Sequence, residues 1–457
     1  MRGKRVGLLL GIGLLALGGR AAAQQPTLDA LVTEALAANR RIRAADRGVE
    51  AARAELAASG GARLPSVTLT ARYSELQGAI PNIGQLINPA FGALNGLLGR
   101  AAFPTDVNLQ FPQKQETAIR VVQPVFSPAI GAGRSVARSA VEVQVAGQAA
   151  ERHAVAAEVR LAYLGFLKAR SLAALADSTA ALVAENVRVN EALVAAGRGT
   201  PDAVLRARAD QGEVDQRRLD TKRLVEAARQ RVNFLLDRPL DGPLEVLPDS
   251  SLGVTIRGTE PDAVATAVTR RPELALAEAG VGVARGQQRL ARAGAMPSLA
   301  LALDYGIQGR TYRFAADQDF AIGSAVFSWT LFSGGQIGAR KRAASLNVGR
   351  RQLEAEQLAR GVALEVMTAH AAAVTGERAL TVAAARLASA LRSYELVRRK
   401  YGEGLAAPIE LLDARTAYTA AATNAVLTQY DFFERCVELD RAAAWYPVAD
   451  RNRGNLP

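Results

Sequence analysis

The feature that most constrains this chain is that it is written twice. Gly48, Val49, Ala52, Arg53, Pro65, Ser66, Leu69 and Tyr73 recur at a spacing of 232 residues as Gly280, Val281, Ala284, Arg285, Pro297, Ser298, Leu301 and Tyr305. Downstream the spacing shortens. Phe126, Ser127, Arg134 and Ser139 return 206 residues later as Phe332, Ser333, Arg340 and Ser345, and Gly197, Pro201, Leu205, Ala207 and Arg208 return 207 residues later as Gly404, Pro408, Leu412, Ala414 and Arg415. A duplicated chain is read first as one repeated unit, and the unit limits the architecture. The shortening means that about 26 residues have been inserted in the first copy between Tyr73 and Phe126. This stretch, Glu75 to Gln115, is rich in Gly, Pro and Asn and is predicted to be an exposed loop.

Residues 1–23 have the order of a secretory signal: basic Arg2, Lys4 and Arg5, an apolar run from Val6 to Leu17, and the small residues Ala21, Ala22 and Ala23 before Gln24. The apolar run is too short for a spanning helix, which needs about 20 apolar residues. No later segment offers one, so entry into a membrane would require a closed β-barrel, because lipid tolerates no open backbone edge. The formal charge of +12 includes four cations of the signal, Arg2, Lys4, Arg5 and Arg20, leaving the mature chain near +8. In a secreted chain with few aromatics, scattered arginines fit solvated helix faces rather than a nucleic-acid surface. The only cysteine, Cys436, has no internal disulfide partner. No cysteine follows the cleavage site to carry a lipid.

The unit is helix, short strand pair, very long helix, tight turn and long helix. Leu28 to Ser59 is helical by composition, ended by Gly60-Gly61. Ser66 to Tyr73 alternates, with Val67, Leu69, Ala71 and Tyr73 on one face. Thr117 to Phe126 is its partner, and the second copy supplies Leu299 to Tyr305 and Phe320 to Phe332. Aromatics gather near the strand ends, Tyr73, Phe126, Tyr305, Phe320, Phe327, Trp329 and Phe332, as they do at the lipid–water boundary of membrane barrels. Between Pro128 and Gly197 lie 68 residues without proline, and between Phe332 and Gly402 another 69. At about 1.5 Å per residue each helix would run roughly 100 Å. Only isolated glycines, Gly147, Gly165, Gly361 and Gly376, weaken them. After Pro201 and Pro408, well placed to start helices, segments of about 35 residues run back. Each copy is thus an antiparallel helical hairpin. Pro239 to Glu260 joins the copies as a linker with one short extended piece, Leu244 to Leu247.

Four strands per chain cannot close a membrane barrel, which begins at about eight strands. Two chains would supply eight and three would supply twelve, so the membrane reading requires an oligomer. Alanine-rich hairpins hanging from such a barrel would pack side by side into a helical tube.

At this point the chain resembles the TolC family of outer-membrane efflux and secretion channels. The resemblance runs from about Leu28 to Tyr446. It rests on the duplication, on the strand-to-helix junctions Val125-Phe126-Ser127 and Leu331-Phe332-Ser333, and on the hairpin tip from Tyr401 to Arg415. It implies an α+β membrane protein: a homotrimer with a twelve-stranded β-barrel in the outer membrane, four strands per chain, continued by a long α-helical barrel across the periplasm. The domains would be the signal at 1–23, a first repeat at 24–236, a linker at 237–260 in the equatorial region, a second repeat at 261–446 and a tail at 447–457. The implied partners are a periplasmic adaptor (membrane fusion) protein, an inner-membrane pump and outer-membrane lipid, with no nucleic acid.

The resemblance also implies site residues. Glu410 and Asp413, three apart on one helix face, would line the constricted periplasmic entrance with Tyr401 beside them, forming rings of carboxylates that favour cations. In one member of the family an arginine of the tip loop pairs with an acid of the other hairpin. Ala406 and Ala203 stand at the matching positions, so a latch here would draw on Arg198, Asp202, Glu403 or Arg206. The tips, Gly197, Arg198, Gly199 and Pro201 with Gly402, Glu403, Gly404 and Pro408, would meet the adaptor. The aromatic girdle of the barrel would be Tyr73, Phe126, Tyr305, Phe327, Trp329 and Phe332.

Catalysis has no support in the sequence. His153 and His370 lie mid-helix without ligands at metal spacing, and there is no phosphate loop, nucleophile elbow or dinucleotide fingerprint. No cofactor or metal is expected, and any energy must come from a partner. The expected role is a passive exit duct gated at its periplasmic tips. The alternative is a soluble periplasmic coiled-coil adaptor or scaffold. The substrate is not written in the sequence.

Overall fold

The computed structural model describes residues 27–75, 82–107, 114–247, 252–309 and 318–446. The expected signal at 1–23 and tail at 447–457 lie outside the described residues. In chain order the elements are α1 (Leu28–Ala38), α2 (Arg40–Gly61), β1 (Ser66–Tyr73), α3 (Ile83–Leu98), β2 (Gln115–Phe126), α4 (Pro128–Ala195), α5 (Pro201–Leu235), α6 (Glu260–Arg270), α7 (Pro272–Ala293), β3 (Ser298–Gly309), β4 (Asp319–Ser328), α8 (Gln336–Gly402) and α9 (Pro408–Ala442). With α3 set aside, helices of 11, 22, 68 and 35 residues are followed by helices of 11, 22, 67 and 35.

The same devices recur at repeat-equivalent positions. Thr27 and Thr259 cap α1 and α6, accepting from the Ala30 and Asp262 amides. A threonine hydroxyl satisfies one of the donors that a helix start leaves open. At Thr259 the Asp262 carboxylate returns a bond to the cap backbone, completing a capping box. The chain then breaks at Asn39 (φ −59°, ψ 131°) and at Arg271 (φ −61°, ψ 122°). Both are about 95 % buried, at 5 % and 6 % exposure. Each donates to the last carbonyl of its own repeat's final helix: Asn39 Nδ2 to Leu235 O at 2.9 Å, and an Arg271 Nη to Ala442 O at 3.1 Å. The single helix expected over 28–59 is therefore two helices. Its composition holds no breaker at Asn39; the hydrogen bond to a carbonyl far along the chain holds the kink. The final helices α5 and α9 end alike, with Asp237 (φ 55°) and Ala444 (φ 54°) left-handed, and with Arg238 N and Trp445 N reaching back to Asn233 O and Asp440 O.

The loop expected over 75–115 also needs correction, because it contains α3. Asn82 caps the start and Gly99, at φ 61°, ends it, with Pro89 inside. Among 244–247 there is no strand. That piece is instead pinned by the buried phenol of Tyr163, which accepts from Leu247 N at 2.7 Å and donates to Glu245 O at 3.0 Å. Burial pushes this phenol above its ordinary pKa, against the lowering effect of the Leu247 amide.

The sheet is antiparallel in the order β1-β2-β3-β4. It is longer than expected at β2, which starts at Gln115, and at β3, which ends at Gly309. β4 stops at Ser328, short of the expected Phe332. Opposed residues share a face. One face carries Val67, Leu69, Tyr73, Ile119, Leu301, Leu303, Tyr305 and Phe327, most of them exposed. The other carries Thr68, Thr70 and two cross-strand ion pairs, Arg72–Glu116 and Arg120–Asp304, the latter with Nε–Oδ1 at 2.5 Å. A 12-residue strand such as β3 rises about 3.4 Å per residue, enough to cross a hydrocarbon core at a tilt near 45°.

The chain divides into two compact units that cut across the repeats: 1–39, 155–255 and 376–437, and 40–154, 256–375 and 438–457. In the first, Leu31, Val155, Val159, Tyr163 and Leu235 are buried; in the second, Ile42, Val49, Val281, Val366 and Leu439. The long helices α4 and α8 each belong partly to both units and run unbroken through Gly147, Gly165, Gly361 and Gly376. At Gly376 a Cβ would come within 3.3 Å of Phe432 and Arg435. The glycine there lets α8 lie close on α9.

Candidate channel residues at the hairpin tips and in the sheet

The two tips are the same turn. Gly197 and Gly404 are left-handed at φ 66° and 77°, a conformation that glycine adopts at no steric cost. Arg198 N returns to Leu193 O and Leu405 N to Lys400 O, both at 2.8 Å, closing α4 and α8 with matched Schellman turns. Pro201 and Pro408 open the return helices α5 and α9. Arg198, Gly199, Gly402, Glu403, Gly404 and Pro408 all line one cavity of about 820 Å³ at this end.

Beside it lies a cavity of about 310 Å³ among α4, α5, α8 and α9, faced by Asn186, Asn190, Asp210, Tyr394, Tyr401 and Arg415. Tyr401 is half-buried there. Glu410 and Asp413 are exposed in the first turns of α9, three residues apart and so on one helix face. Glu410 is not idle, since one of its carboxylate oxygens accepts from Ala407 N at 3.2 Å and steadies the helix start.

None of the residues expected to form a latch forms one. Asp202 and Arg206 approach each other at 3.7 Å along α5, within one hairpin. The Thr200 hydroxyl holds the Asp202 carboxyl below the usual carboxylate range. Near the tips the two hairpins are joined by a charge pair of Arg415 of α9 with Asp210 of α5, and Arg415 is only 7 % exposed. Its repeat equivalent, Arg208, stays within its own hairpin and pairs with Glu191 of α4 at 2.8 Å. The reason is visible in the sequence: the position equivalent to Glu191 is Arg398, which repels Arg415. Further along, Lys168 of α4 bonds Asp431 of α9 at 2.7 Å with Glu434 at 3.5 Å. Burial works against the Lys168 charge, but the two acids hold its pKa above the ordinary lysine value. Tyr394 and Tyr418 stack at 5.6 Å between α8 and α9.

In the second unit, Arg271 heads an ion network. It meets Glu273 at 2.9 Å and Glu365 at 3.1 Å, and Arg441 meets Glu365 at 2.6 Å and Glu438 at 2.7 Å. Burial alone would raise the Glu273 pKa; the bond and charge of Arg271, with His153 nearby, bring it below the usual value. His153 itself is buried against the Tyr446 ring at 5.8 Å.

Of the expected girdle, Tyr73, Tyr305 and Phe327 lie on the apolar face of the sheet. Phe126 joins them only because a bulge between Pro124 and Phe126 shifts its register to oppose Leu299. Tyr305 sits within the sheet rather than at its end, since β3 continues to Gly309. Trp329 and Phe332 lie beyond β4 and are exposed, with Trp329 Nε1 donating to Ala295 O at 3.2 Å. Among the described residues, no helix is long and apolar enough to cross a membrane, and no group of His, Cys, Asp or Glu could hold a metal ion. Cys436 is buried.

Residues 263–444 match the sequence model of the family described as outer membrane efflux protein. No curated protein matches the sequence significantly. Solved channels share the fold over nearly the whole chain. The CmeC outer membrane channel of Campylobacter jejuni is 17 % identical and superposes with a TM-score of 0.76, covering 91 % of this chain and 85 % of its own. The open state of the MtrE outer membrane channel of Neisseria gonorrhoeae is 20 % identical with a TM-score of 0.71, covering 92 % and 89 %. The outer membrane protein VceC of Vibrio cholerae is 18 % identical with a TM-score of 0.71, covering 91 % and 95 %. The fold is thus that of the outer-membrane channels. The second copy thus matches the outer membrane efflux protein family in sequence, and the chain shares the fold of these channels, in keeping with its resemblance to the TolC family.

Proposed function

We propose that this chain is one subunit of a homotrimeric exit duct in the outer membrane of a Gram-negative cell. It conducts substrates outward from a periplasmic adaptor and an inner-membrane pump. The observation that carries the reading is the two-faced sheet: an exposed apolar face, a polar face with paired charges, and two edge strands, β1 and β4, that further copies would complete. A sheet with water on both sides has no use for the first face, and an open edge in lipid is excluded. Three copies supply twelve strands.

The gate lies at the hairpin tips, where Glu410 and Asp413 from three copies form carboxylate rings beside Tyr401, and Arg415–Asp210 ties the hairpins of each copy together. The exposed tip residues Arg198 and Glu403 meet the adaptor. The substrate passes through without chemistry, and the duplicated segments 24–236 and 261–446 are the two halves of each subunit.

Fractionation tests the duct against a soluble scaffold. The duct requires the protein to remain with outer membranes through salt and carbonate washes and to leave in detergent as a particle of three protomer masses. Release without detergent would overturn it. Crosslinkers at Arg198 and Glu403 that capture no periplasmic protein in cells would remove the adaptor contact.

A further inference from the structure

The residues inserted only in the first copy build α3, and α3 carries an apolar face that none of the described residues covers. From 76 to 99 there is no charged residue, although at the chain average of 22 % about five would be expected. At 3.6 residues per turn, Ile83, Leu86, Ala90, Leu94 and Leu97 fall on one stripe within an apolar arc of roughly 160°. Leu86 and Leu97 are 80 % and 85 % exposed, with Ile83, Leu94 and Leu98 also open. The edge of the helix that turns inward is clasped by its own return segment. Asn88 exchanges two hydrogen bonds with the Val107 backbone at 2.8 and 2.9 Å. Asn95 bonds Phe103 O and accepts from the Ala102 and Phe103 amides at 2.7 to 2.9 Å. Phe91 stacks on Phe103 at 5.3 Å. The helix is therefore held as a small rigid body with its greasy side facing outward.

We propose that α3 is an interfacial helix whose apolar face, centred on Ile83, Leu86, Leu94 and Leu97, lies in the lipid surface beside the strands. The proposal rests on the membrane reading of the sheet. Three observations select lipid. The face is convex and uncharged and presents no hydrogen-bonding group, which suits a fluid apolar surface better than a partner with its own polar groups. It follows closely on the apolar face of β1, whose last residue, Tyr73, is exposed on that face ten residues before Ile83. The opposite face of the sheet holds Ile322 and Val326 on β4 but is polar and charged along β1 and β2, with Thr68, Thr70, Arg72–Glu116 and Arg120–Asp304, and so offers an apolar helix a poorer seat in the lumen than lipid does.

The test uses the full mature chain with single cysteines at Leu97, Gln85 or Leu69, each labelled with nitrobenzoxadiazole, in phosphatidylcholine–phosphatidylglycerol vesicles. The native thiol, Cys436, is buried. Lipids carrying a nitroxide near the headgroup should quench the labels at Leu69 and Leu97 at least twofold more than the label at Gln85, on the far side of α3. Quenching at Leu69 but not at Leu97 overturns the proposal and leaves the barrel intact. No lipid quenching at Leu69 overturns the barrel reading, and the proposal with it. Efficient crosslinking of Leu97→Cys between copies, without lipid quenching, assigns the face to a second copy instead.

Discussion

The two repeats place an arginine at the same point of the same helix and use it differently. Arg208 is exposed and pairs with Glu191 inside its own hairpin, whereas Arg415 is buried and crosses to Asp210 of the other hairpin. The kinks diverge in the same way. Asn39 holds its carbonyl with a neutral amide, and Arg271 does so at the centre of an ion network. The backbone geometry of the duplicated unit has been kept while one copy has taken on buried charge. In each case the second repeat carries the costlier group, and removing it should cost more.

The largest effect is expected at the kinks. Arg271→Ala strands Glu273 in a partly buried site, takes one of two cations from Glu365 and removes the donor to Ala442 O, and should cost about 3–5 kcal/mol. Asn39→Ala loses the buried bond to Leu235 O and should cost about 1–3 kcal/mol. Unfolding of the helical circular dichroism signal in detergent ranks the two, and equal losses would break the comparison. At the tips, Arg415→Ala should cost about 2–4 kcal/mol, below the full value for a buried pair because Asp210 keeps some solvent. Arg208→Ala should cost about 0–1 kcal/mol. Arg398→Glu sharpens this pair, because it gives Arg415 the in-hairpin partner that Arg208 already has. In that background Arg415→Ala should affect tip opening, followed by disulfide trapping across the hairpins, at most half as much as in the wild type.

The smallest contrast lies at the caps. Thr259→Ala and Thr27→Ala should each lower stability by on the order of 1 kcal/mol, read as a fall in unfolding temperature, with the larger fall at Thr259 because only Thr259 belongs to a capping box. The Thr259 hydroxyl and amide hold the Asp262 carboxyl below its ordinary pKa. A group lowered in the folded state contributes stability above its unfolded pKa and loses it as pH falls through the folded value. The excess cost of Thr259→Ala should therefore be constant at neutral pH and fade below about pH 4.

The sequence makes some of this fold legible and hides the rest for physical reasons. The long helices show because proline is absent over both stretches, and the tips show because Gly197 and Gly404 must be left-handed. The strands follow from alternation, but their ends do not: Gln115 and Gly309 are paired by the sheet, not by their own propensity. The kink at Asn39 is invisible locally, since a carbonyl nearly 200 residues away holds it. In α3 the Gly, Asn and Pro residues mask a helix that the spacing of Ile83, Leu86, Ala90, Leu94 and Leu97 would have revealed. The Arg415–Asp210 pair is tertiary, yet the replacement of Glu191 by Arg398 at the equivalent position was a signal available in the duplication itself. The bulge that brings Phe126 to the apolar face had no such signal.

The central claim, that copies of this chain close a membrane pore, is tested most directly by single-channel recording of the purified mature protein in a planar bilayer. The account predicts discrete, cation-preferring openings whose cation preference falls in Glu410→Gln/Asp413→Asn. A folded, helical sample that never inserts, or never conducts, would contradict it.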